Sequence, residues 1–418
     1  MPRYRDLLSE RNFFLYSIGQ LISQFGDRLV QIILIGLVYK ISPGSTVQLA
    51  KVLTFTMIPA FAVSPIAGVW VDRWNNKKTM IICDLIRGCL MLTFPAFVAL
   101  HQFMPIYLAI FLIFTCACFF LPAKFAIVPD LVLSENLLIA NSFSTIISVV
   151  GGVAGLTFGG VVLEFIDVNK TIYLNAIIYF TSAASLSLIR YTPRRETVKA
   201  AGAMVHKIRE ALKTSFIHEL KEGFRYLFVG KRVRFVIYVL FFLMSMVGAI
   251  YVVSVVFIQE IMGSMTKDIG LFGLFLCVGL LLGSYFYGKR GHAVPTNRTI
   301  YLSIIFSGIS IALFSVCLKL TMSFLAGGIF SFLLGLAASP VFISSSTIVH
   351  ENVDDSMRGR IFSSLGIIMN LGLLTFMFIS SSLAEVIGKL WILLLSAFVF
   401  VIFGVAGIFV DYNRERKV

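Results

Sequence analysis

Long apolar stretches alternate with short polar ones along nearly the whole chain. Each apolar stretch comes close to the roughly 20 residues that an α-helix needs to cross a bilayer core about 30 Å thick. The pattern predicts an all-α membrane protein with twelve transmembrane helices in two six-helix halves. The twelve predicted spans are Phe13–Tyr39, Val52–Val71, Thr79–Leu100, Ile106–Val128, Leu137–Leu163, Ile172–Ile189, Phe235–Met262, Ile269–Tyr287, Thr299–Leu318, Met322–Ile348, Ile361–Ile387 and Leu390–Val410.

The composition excludes an ordinary water-soluble domain. Hydrophobic residues make up 58% of the chain and charged residues 13%, against about 45–50% and about 25% in soluble proteins. The six cysteines all fall within apolar stretches, so they are interpreted as small buried residues, and no disulfide framework, metal site or cofactor is expected. They are Cys83, Cys89, Cys116, Cys118, Cys277 and Cys317.

The positive charges are distributed unevenly between the two sides of the predicted membrane. If the N-terminus is cytoplasmic, 27 of the 35 Lys and Arg residues, with Lys124 counted among them, fall on the cytoplasmic side. Only 6 fall in the outer loops. This positive-inside bias predicts a multi-pass protein of the plasma (inner) membrane with both termini in the cytoplasm, and it accounts for the net charge of +14 without a nucleic-acid partner.

The basic segment between the two sets of spans separates a half at residues 1–190 from a half at residues 234–418. Within this linker, residues 191–233, apolar residues recur on one helical stripe. An amphipathic helix on the inner membrane surface is predicted, and a solvated linker is the alternative. The stripe consists of Ile208, Leu212, Phe216, Leu220 and Phe224.

The two halves echo one another in sequence. PAKFAIVPDLVLSENLLIANSFS lies at the inner end of the fourth span, and SPVFISSSTIVHENVDDSMRGRIFSS occupies the same place at the tenth. Many transporters consist of two such parallel repeats, with the substrate site between them near the membrane midplane. A pore or a receptor would not need this duplication.

The first span carries a polar face on an otherwise apolar helix, formed by Gln20, Gln24, Asp27 and Gln31. Asp27 lies about 21 Å from the start of the span, near the membrane centre. A carboxylate there costs about 2.5–3.5 kcal/mol, so it should face water or a partner. Asp27 is therefore the candidate coupling residue, with a static pair as the alternative, and Arg28 is grouped with the same cavity face although it points elsewhere on the helix.

Other polar residues within the spans are possible cavity residues, although Ser and Asn equally serve as contacts between helices. These candidates are Asn141, Tyr251 and Asn370.

The segment GVWVDRWNNKK resembles the first inner loop of the major facilitator superfamily, through Gly68, Asp72, Arg73 and the two lysines. Asn75 replaces the usual inner glycine and is expected to keep the tight turn by adopting a left-handed backbone. The resemblance implies alternating access. Asp72 is interpreted as a latch that meets the positive end of a helix beginning near Gly359 in the other half.

Two charged residues just inside the third span are assigned to the same latch region. Asp84 and Arg87 are separated by three positions, so they can pair with each other or with Arg73. Such pairing avoids the cost of lone charges in the membrane.

A narrower resemblance rests on LISQFGDRLVQ, the inner-loop segment, the PAKFAIVPD segment and FIHELKEGFRYL taken in order. Together they are similar to the macrolide-efflux branch of the superfamily, which also includes siderophore exporters and is related to lysophospholipid transporters. GGVAGLTFGG in the fifth span is similar to the antiporter motif of drug exporters, with Leu156 in place of the usual proline. Close approach of another helix is the alternative meaning of its glycines, Gly151, Gly155, Gly159 and Gly160.

The resemblance implies a secondary active transporter and not an enzyme. It favours a proton-coupled exporter of amphiphilic small molecules of the macrolide, multidrug or siderophore type, working as a monomer in the bilayer. A lysophospholipid transporter or flippase is the alternative, and a membrane receptor or sensor without flux is the alternative from another class.

Overall fold

The computed structural model describes residues 4–71, 73–99, 103–190, 231–290, 295–352 and 355–415. The predicted amphipathic helix in the linker lies outside these residues. The described part of the first half contains α1 (Tyr4–Ser9), α2 (Arg11–Ile41), α3 (Thr46–Ala62), α4 (Ser64–Val71), α5 (Asn76–Ala99), α6 (Phe103–Leu131), α7 (Leu137–Ile166) and α8 (Val168–Ser187), with a 3-10 turn at Ser134–Asn136. The second half contains α9 (Lys231–Met262), α10 (Lys267–Arg290), α11 (Thr296–Thr321), α12 (Phe324–Asn352), α13 (Asp355–Ile387) and α14 (Lys389–Glu415).

The described residues confirm the all-α membrane fold. Among them, ten helices are long and apolar enough to cross a bilayer. The other two predicted spans are also helical: the sixth is α8, of 20 residues, and the second is divided at Val63 into α3 and α4. Pro59 lies inside α3 and Pro65 in the first turn of α4, and each lacks the backbone N–H that a continuous helix would use.

The chain forms two compact units, one of Met1–Ile41 with Lys51–Ala211 and one of Ser42–Ala50 with Leu212–Val418. In the first unit, α2 packs on α7 and α8, and α5 packs on α6 and α8. In the second unit, α9 packs on α13, α10 on α12, and α11 on α12 and α14. Each unit therefore buries its own apolar interior.

The first turn of α3 belongs to the second unit. There Ser45 Oγ and the Val47 backbone N–H donate to Glu385 Oε1 over 2.8 and 3.1 Å, and Thr46 Oγ1 donates to the Ser381 carbonyl over 2.7 Å. A carboxylate at a helix N-terminus satisfies free N–H groups and complements the helix dipole. These bonds anchor the start of α3 to α13.

The turn between α7 and α8 is held by Asp167. This residue has a φ of 79°, and its Oδ2 accepts a hydrogen bond from the Asn169 N–H at the start of α8 over 3.2 Å. Lys40, in the last turn of α2, forms an ion pair with Asp167 and holds the pKa of that carboxyl below its usual range. This contact joins the C-terminal end of α2 to the N-terminal end of α8.

Glycines set the distance between α7 and α2. A Cβ at Gly155 would lie 2.7 Å from the Phe25 carbonyl oxygen and 2.8 Å from Arg28 Cβ. A Cβ at Gly151 would lie 3.0 Å from the Leu21 carbonyl oxygen. The alternative interpretation of these glycines, that they admit a close helix, is confirmed at Gly151 and Gly155, and the partner is α2; the antiporter motif stays a prediction.

The second unit has a tighter glycine contact, between α10 and α12. A Cβ added at Gly335 of α12 would overlap the Leu276 carbonyl oxygen, and one added at Gly279 of α10 would overlap the Phe332 carbonyl oxygen. Any side chain at either position would therefore push the two backbones apart.

The inner-loop segment ends in a different turn from the one expected. Asn75 is absent from the described non-glycine residues with positive φ, so the expected left-handed backbone is wrong. Its side-chain Oδ1 instead accepts from the Lys78 N–H over 3.0 Å, directly before α5 begins at Asn76. The asparagine therefore serves as a helix N-cap, a role for which its short amide is well suited.

Lys77 ties this loop to the end of α8. Its Nζ donates to the carbonyl oxygens of Ser187 and Ile189 over 2.7 and 2.8 Å. Ser187 is the last residue of α8 and Ile189 lies just beyond it, at the helix end where backbone carbonyls generally lack intrahelical donors. The lysine thus satisfies them and places a positive charge at the negative end of the helix.

Replacing Lys77 by methionine is expected to lower the free energy of unfolding by about 1 kcal/mol, because two charge-assisted hydrogen bonds at a partly exposed site are lost. Thermal unfolding of the purified protein in detergent measures the change. Lys78→Met is the matched control, since the Lys78 side chain is exposed. Equal destabilisation by the two variants would contradict the proposed role of Lys77.

Candidate functional site

A buried ion network joins α2 and α5 in the first unit. Arg87 Nη1 lies 3.2 Å from Asp27 Oδ1 and 3.2 Å from Asp84 Oδ1. The side chains of Arg87 and Asp84 are 0% exposed, whereas that of Asp27 is 23% exposed. The predicted pairing of Asp84 with Arg87 is confirmed, and the same arginine also pairs with the candidate coupling residue.

Hydroxyl groups complete the surroundings of both carboxylates. Ser23 Oγ donates to Asp84 Oδ1 over 3.1 Å, and Ser182 Oγ donates to Asp84 Oδ2 over 2.6 Å. Tyr179 Oη donates to Asp27 Oδ1 over 2.8 Å. Asp84 is thus enclosed with both oxygens bonded, while Asp27 is open on one side.

Aromatic rings cover the rest of the arginine. The Arg87 guanidinium carbon lies 5.0 Å from the centre of the Phe120 ring and 5.6 Å from that of Tyr179. Among the described residues, Arg87 Nε and Nη2 have no hydrogen-bond partner. Within that part of the chain, Nη1 therefore makes all the polar contacts of Arg87. Arg87 is a single cation between two anions, Asp27 and Asp84.

Small residues allow the helices that carry this network to approach. A Cβ at Gly26 of α2 would lie 3.1 Å from Ile178 Cγ2 of α8. A Cβ at Gly88 of α5 would lie 2.6 Å from the Phe180 ring of α8. Because α8 packs closely on both α2 and α5, its Tyr179 and Ser182 reach the charged groups.

The residues of the polar face predicted for the first span contact different neighbours, α7 on one side and α5 with α8 on the other. Gln20 is buried, and its Nε2 donates to the Ser144 carbonyl over 3.0 Å and to Ser148 Oγ over 2.8 Å, both on α7. Gln24 lies beside Gly151 of the same helix. Asp27 instead faces α5 and α8.

Sequence reasoning counted Lys124 among the cytoplasmic charges and did not identify it as a buried residue. It lies within α6, is 3% exposed, and donates through Nζ to Ser148 Oγ over 2.6 Å. The predicted fourth span, Ile106–Val128, already included it, and that was the signal available. Within the described part of the first unit, Lys124 is therefore a buried cation in addition to Arg87.

The predicted latch remains a prediction. Asp72 lies outside the described residues, and so do the side chains at the start of α13, where its partner was expected. Gly68 lies in α4, where a Cβ would meet no described atom of another part of the chain within 4 Å, and Arg73 is exposed in the following turn.

The remaining cavity candidates lie on three different helices. Asn141 is exposed on α7, Tyr251 is 41% exposed on α9, and Asn370 is half-buried on α13. Their assignment to a cavity stays a prediction.

Comparisons with known proteins place the chain in a family. The family model described as Major Facilitator Superfamily matches residues 16–330. Macrolide efflux protein A of Streptococcus pyogenes is 23% identical over 402 residues, covering 91% of this chain and 92% of the relative. The putative bacilysin exporter BacE of Bacillus subtilis (strain 168) is 28% identical over 321 residues, covering 74% of each chain.

Solved structures share the fold at low sequence identity. A bacterial homologue of the iron transporter ferroportin in its inward-facing state has a TM-score of 0.72 at 14% identity, covering 96% of this chain and 99% of that one. A point mutant of the nucleoside transporter NupG has a TM-score of 0.71 at 15% identity, covering 95% and 98%. With the family match across most of its length and the helices described above, the chain belongs to the Major Facilitator Superfamily, as an integral, multi-pass membrane transporter related to efflux proteins.

Proposed function

We propose that the protein is a proton-coupled exporter of amphiphilic small molecules, active by alternating access of two six-helix halves. Two relatives are named as a macrolide efflux protein and a putative exporter, which supports the outward direction. The distribution of Lys and Arg supports a plasma-membrane location with both termini in the cytoplasm.

The observation that carries this proposal is the environment of Asp27. It is a carboxylate at the middle of a 31-residue apolar helix, paired with a fully enclosed arginine and still 23% exposed. An acid embedded in a membrane helix is costly unless it has a partner or a water-facing role, and Asp27 has both a partner and an open side. A coupling residue needs this combination. It must be accessible for proton exchange, and its charge must interact with another group of the protein so that protonation changes that interaction.

The charges of the network make protonation of Asp27 tolerable. With both carboxylates ionised, one arginine faces two anions, and protonation of Asp27 leaves Arg87 and Asp84 as a neutral pair. Asp84 is fully enclosed, whereas Asp27 has an open side through which it can exchange protons with water. We therefore assign proton exchange to Asp27 and the role of a second, enclosed partner of Arg87 to Asp84.

Loss of the Asp27 carboxyl is expected to abolish proton-driven export. An exporter-deficient host expressing the wild type, Asp27→Asn or Glu10→Gln is challenged with macrolides, other amphiphilic antibiotics and siderophores. Everted membrane vesicles then measure uptake of the compound that wild type resists, with and without a proton gradient. We expect gradient-driven uptake with wild type and Glu10→Gln, and the level of empty vesicles with Asp27→Asn.

The control removes one carboxylate from the turn before α2, outside the apolar span. If Asp27→Asn retained uptake that still depended on the gradient, Asp27 would be a static partner of Arg87, and coupling through it would be wrong. If the wild type conferred no resistance despite being present in the membrane, the export proposal would fail, and uptake of labelled lysophospholipid would be measured instead.

A further inference from the structure

Arg28 is an exposed cation in the middle of a membrane-spanning helix. It lies on α2 directly after Asp27, and its side chain is exposed on the first unit. Because the hydrocarbon core is about 30 Å thick, a residue near the middle of this 31-residue helix lies roughly 10–15 Å from either headgroup region. An arginine side chain cannot bridge that distance to reach the headgroup region, and an arginine facing hydrocarbon is costly, so its exposed side faces a polar space.

Packing on α7 fixes where this side chain lies. A Cβ at Gly155 would lie 2.8 Å from Arg28 Cβ, and one at Gly152 would lie 3.6 Å from Arg28 Nε. The stem of the arginine therefore lies against Gly155, and its guanidinium lies over Gly152. The two glycines provide a surface for the side chain along α7.

The guanidinium is not neutralised by its neighbour in sequence. The Asp27 carboxylate points to Arg87 and Tyr179 on α5 and α8, whereas Arg28 points to α7. Among the described residues, no carboxylate forms a salt bridge with Arg28. The charge therefore lacks a counter-ion within the part of the protein that is described.

Gln31 adds hydrogen-bond donors next to the guanidinium of Arg28. Arg28 Nη1 donates to Gln31 Oε1 over 3.0 Å. Arginine can only donate, so this bond turns the amide oxygen toward the guanidinium and leaves the amide N–H groups of Gln31 pointing away from it. The pair thus presents the remaining guanidinium donors together with an amide donor.

We infer that Arg28 and Gln31 bind an oxyanion of the cargo, a carboxylate in particular. The planar fork of arginine matches the two oxygens of a carboxylate and gives charge-assisted hydrogen bonds. The inference rests on the proposed function, because it defines the cargo of that transporter as an amphiphile with an anionic group. In this arrangement Asp27 exchanges protons, and the adjacent Arg28 binds the cargo.

Equilibrium binding of two matched probes to purified protein in lipid nanodiscs tests this inference without requiring flux. The probes are a dansyl-labelled dialanine with a free C-terminal carboxylate and the same molecule as its C-terminal amide. The wild type is expected to bind the carboxylate about tenfold more tightly than the amide, which corresponds to one charge-assisted contact. Arg28→Gln should lose this preference while its affinity for the amide stays as in wild type, which also shows that the variant is folded.

Two further variants sharpen the result. Arg28→Lys keeps the charge but not the fork, so it is expected to retain only part of the preference. Lys170→Gln removes an exposed cation at the start of α8 and should leave the preference unchanged. A carboxylate preference that survives in Arg28→Gln, equal affinities in the wild type, or no binding of either probe would overturn the inference. Because binding is measured at equilibrium, loss of proton coupling in Asp27→Asn and loss of carboxylate preference in Arg28→Gln are separable results.

Discussion

Replacing Arg87 by methionine is expected to lower the free energy of unfolding by about 3–5 kcal/mol, the cost of leaving buried charges without their partner. Methionine retains the length and much of the packing against Phe120, so the loss comes mainly from charge. Among the described residues, Asp84 would keep its two serine donors but no cation within salt-bridge distance, and Asp27 would keep the hydrogen bond from Tyr179. Denaturant unfolding in mild detergent, followed by tryptophan fluorescence or circular dichroism, measures the change.

Double variants identify which anion causes the loss. Asp84→Asn combined with Arg87→Met should recover more stability than Asp27→Asn combined with Arg87→Met, since Asp84 is fully enclosed and Asp27 is 23% exposed. Arg73→Met, at an exposed arginine, should change stability by no more than about 0.5 kcal/mol. A loss below about 1 kcal/mol for Arg87→Met would show that the network does not hold α2 and α5 together.

Replacing Gly335 by alanine is expected to destabilise the protein by about 3 kcal/mol, at the upper end of the range for overpacking. The added methyl would overlap a backbone carbonyl oxygen of α10, which cannot rotate away as a side chain could. The helices must separate, and the contacts along their whole interface weaken. The same unfolding measurement applies.

Gly273→Ala is the matched control, because Gly273 lies on α10 and a Cβ there would meet no described atom of another helix within 4 Å. It should be neutral or slightly stabilising, since alanine favours helix over glycine by up to about 1 kcal/mol. Gly279→Ala and Gly335→Ala together should cost less than the sum of the two, because one separation of α10 from α12 relieves both overlaps. Equal effects of Gly273→Ala and Gly335→Ala would contradict the close contact.

The spans and the all-helical fold could be predicted from the sequence because they depend on local properties. The length and hydropathy of each stretch determine whether it can cross a bilayer, and neighbouring residues carry that information. The pairing of Asp84 with Arg87 was predictable for the same reason, as the two lie three positions apart on one helix.

The partners of Asp27 could not be predicted, because they come from helices far along the chain. Arg87 is 60 positions away and Tyr179 is 152 positions away. Their approach depends on how α8 packs against α2 and α5, which helical periodicity does not specify. The polar face of the first span was visible in the sequence, but not its division between Gln20, directed at α7, and Asp27.

At two residues, Asn75 and Lys124, the local sequence was compatible with two different structures. Asn75 tolerates both a left-handed backbone and an N-cap, and the start of α5 immediately after it decided for the cap. The charge of Lys124 predicts an exposed residue, whereas the apolar residues on both sides of it predict a helix, and it lies in α6 with 3% exposure. In each case the surrounding helix determined the outcome.

The position of Asp27 at the middle of α2 has an electrical consequence. A proton that reaches this carboxyl from bulk solution crosses part of the voltage across the membrane. A full crossing is worth about 2.3 kcal/mol per elementary charge at 100 mV, so a group at mid-depth experiences roughly half of that. If Asp27 exchanges protons as proposed, a voltage applied at equal pH on both sides should bias transport in the same way as a proton gradient.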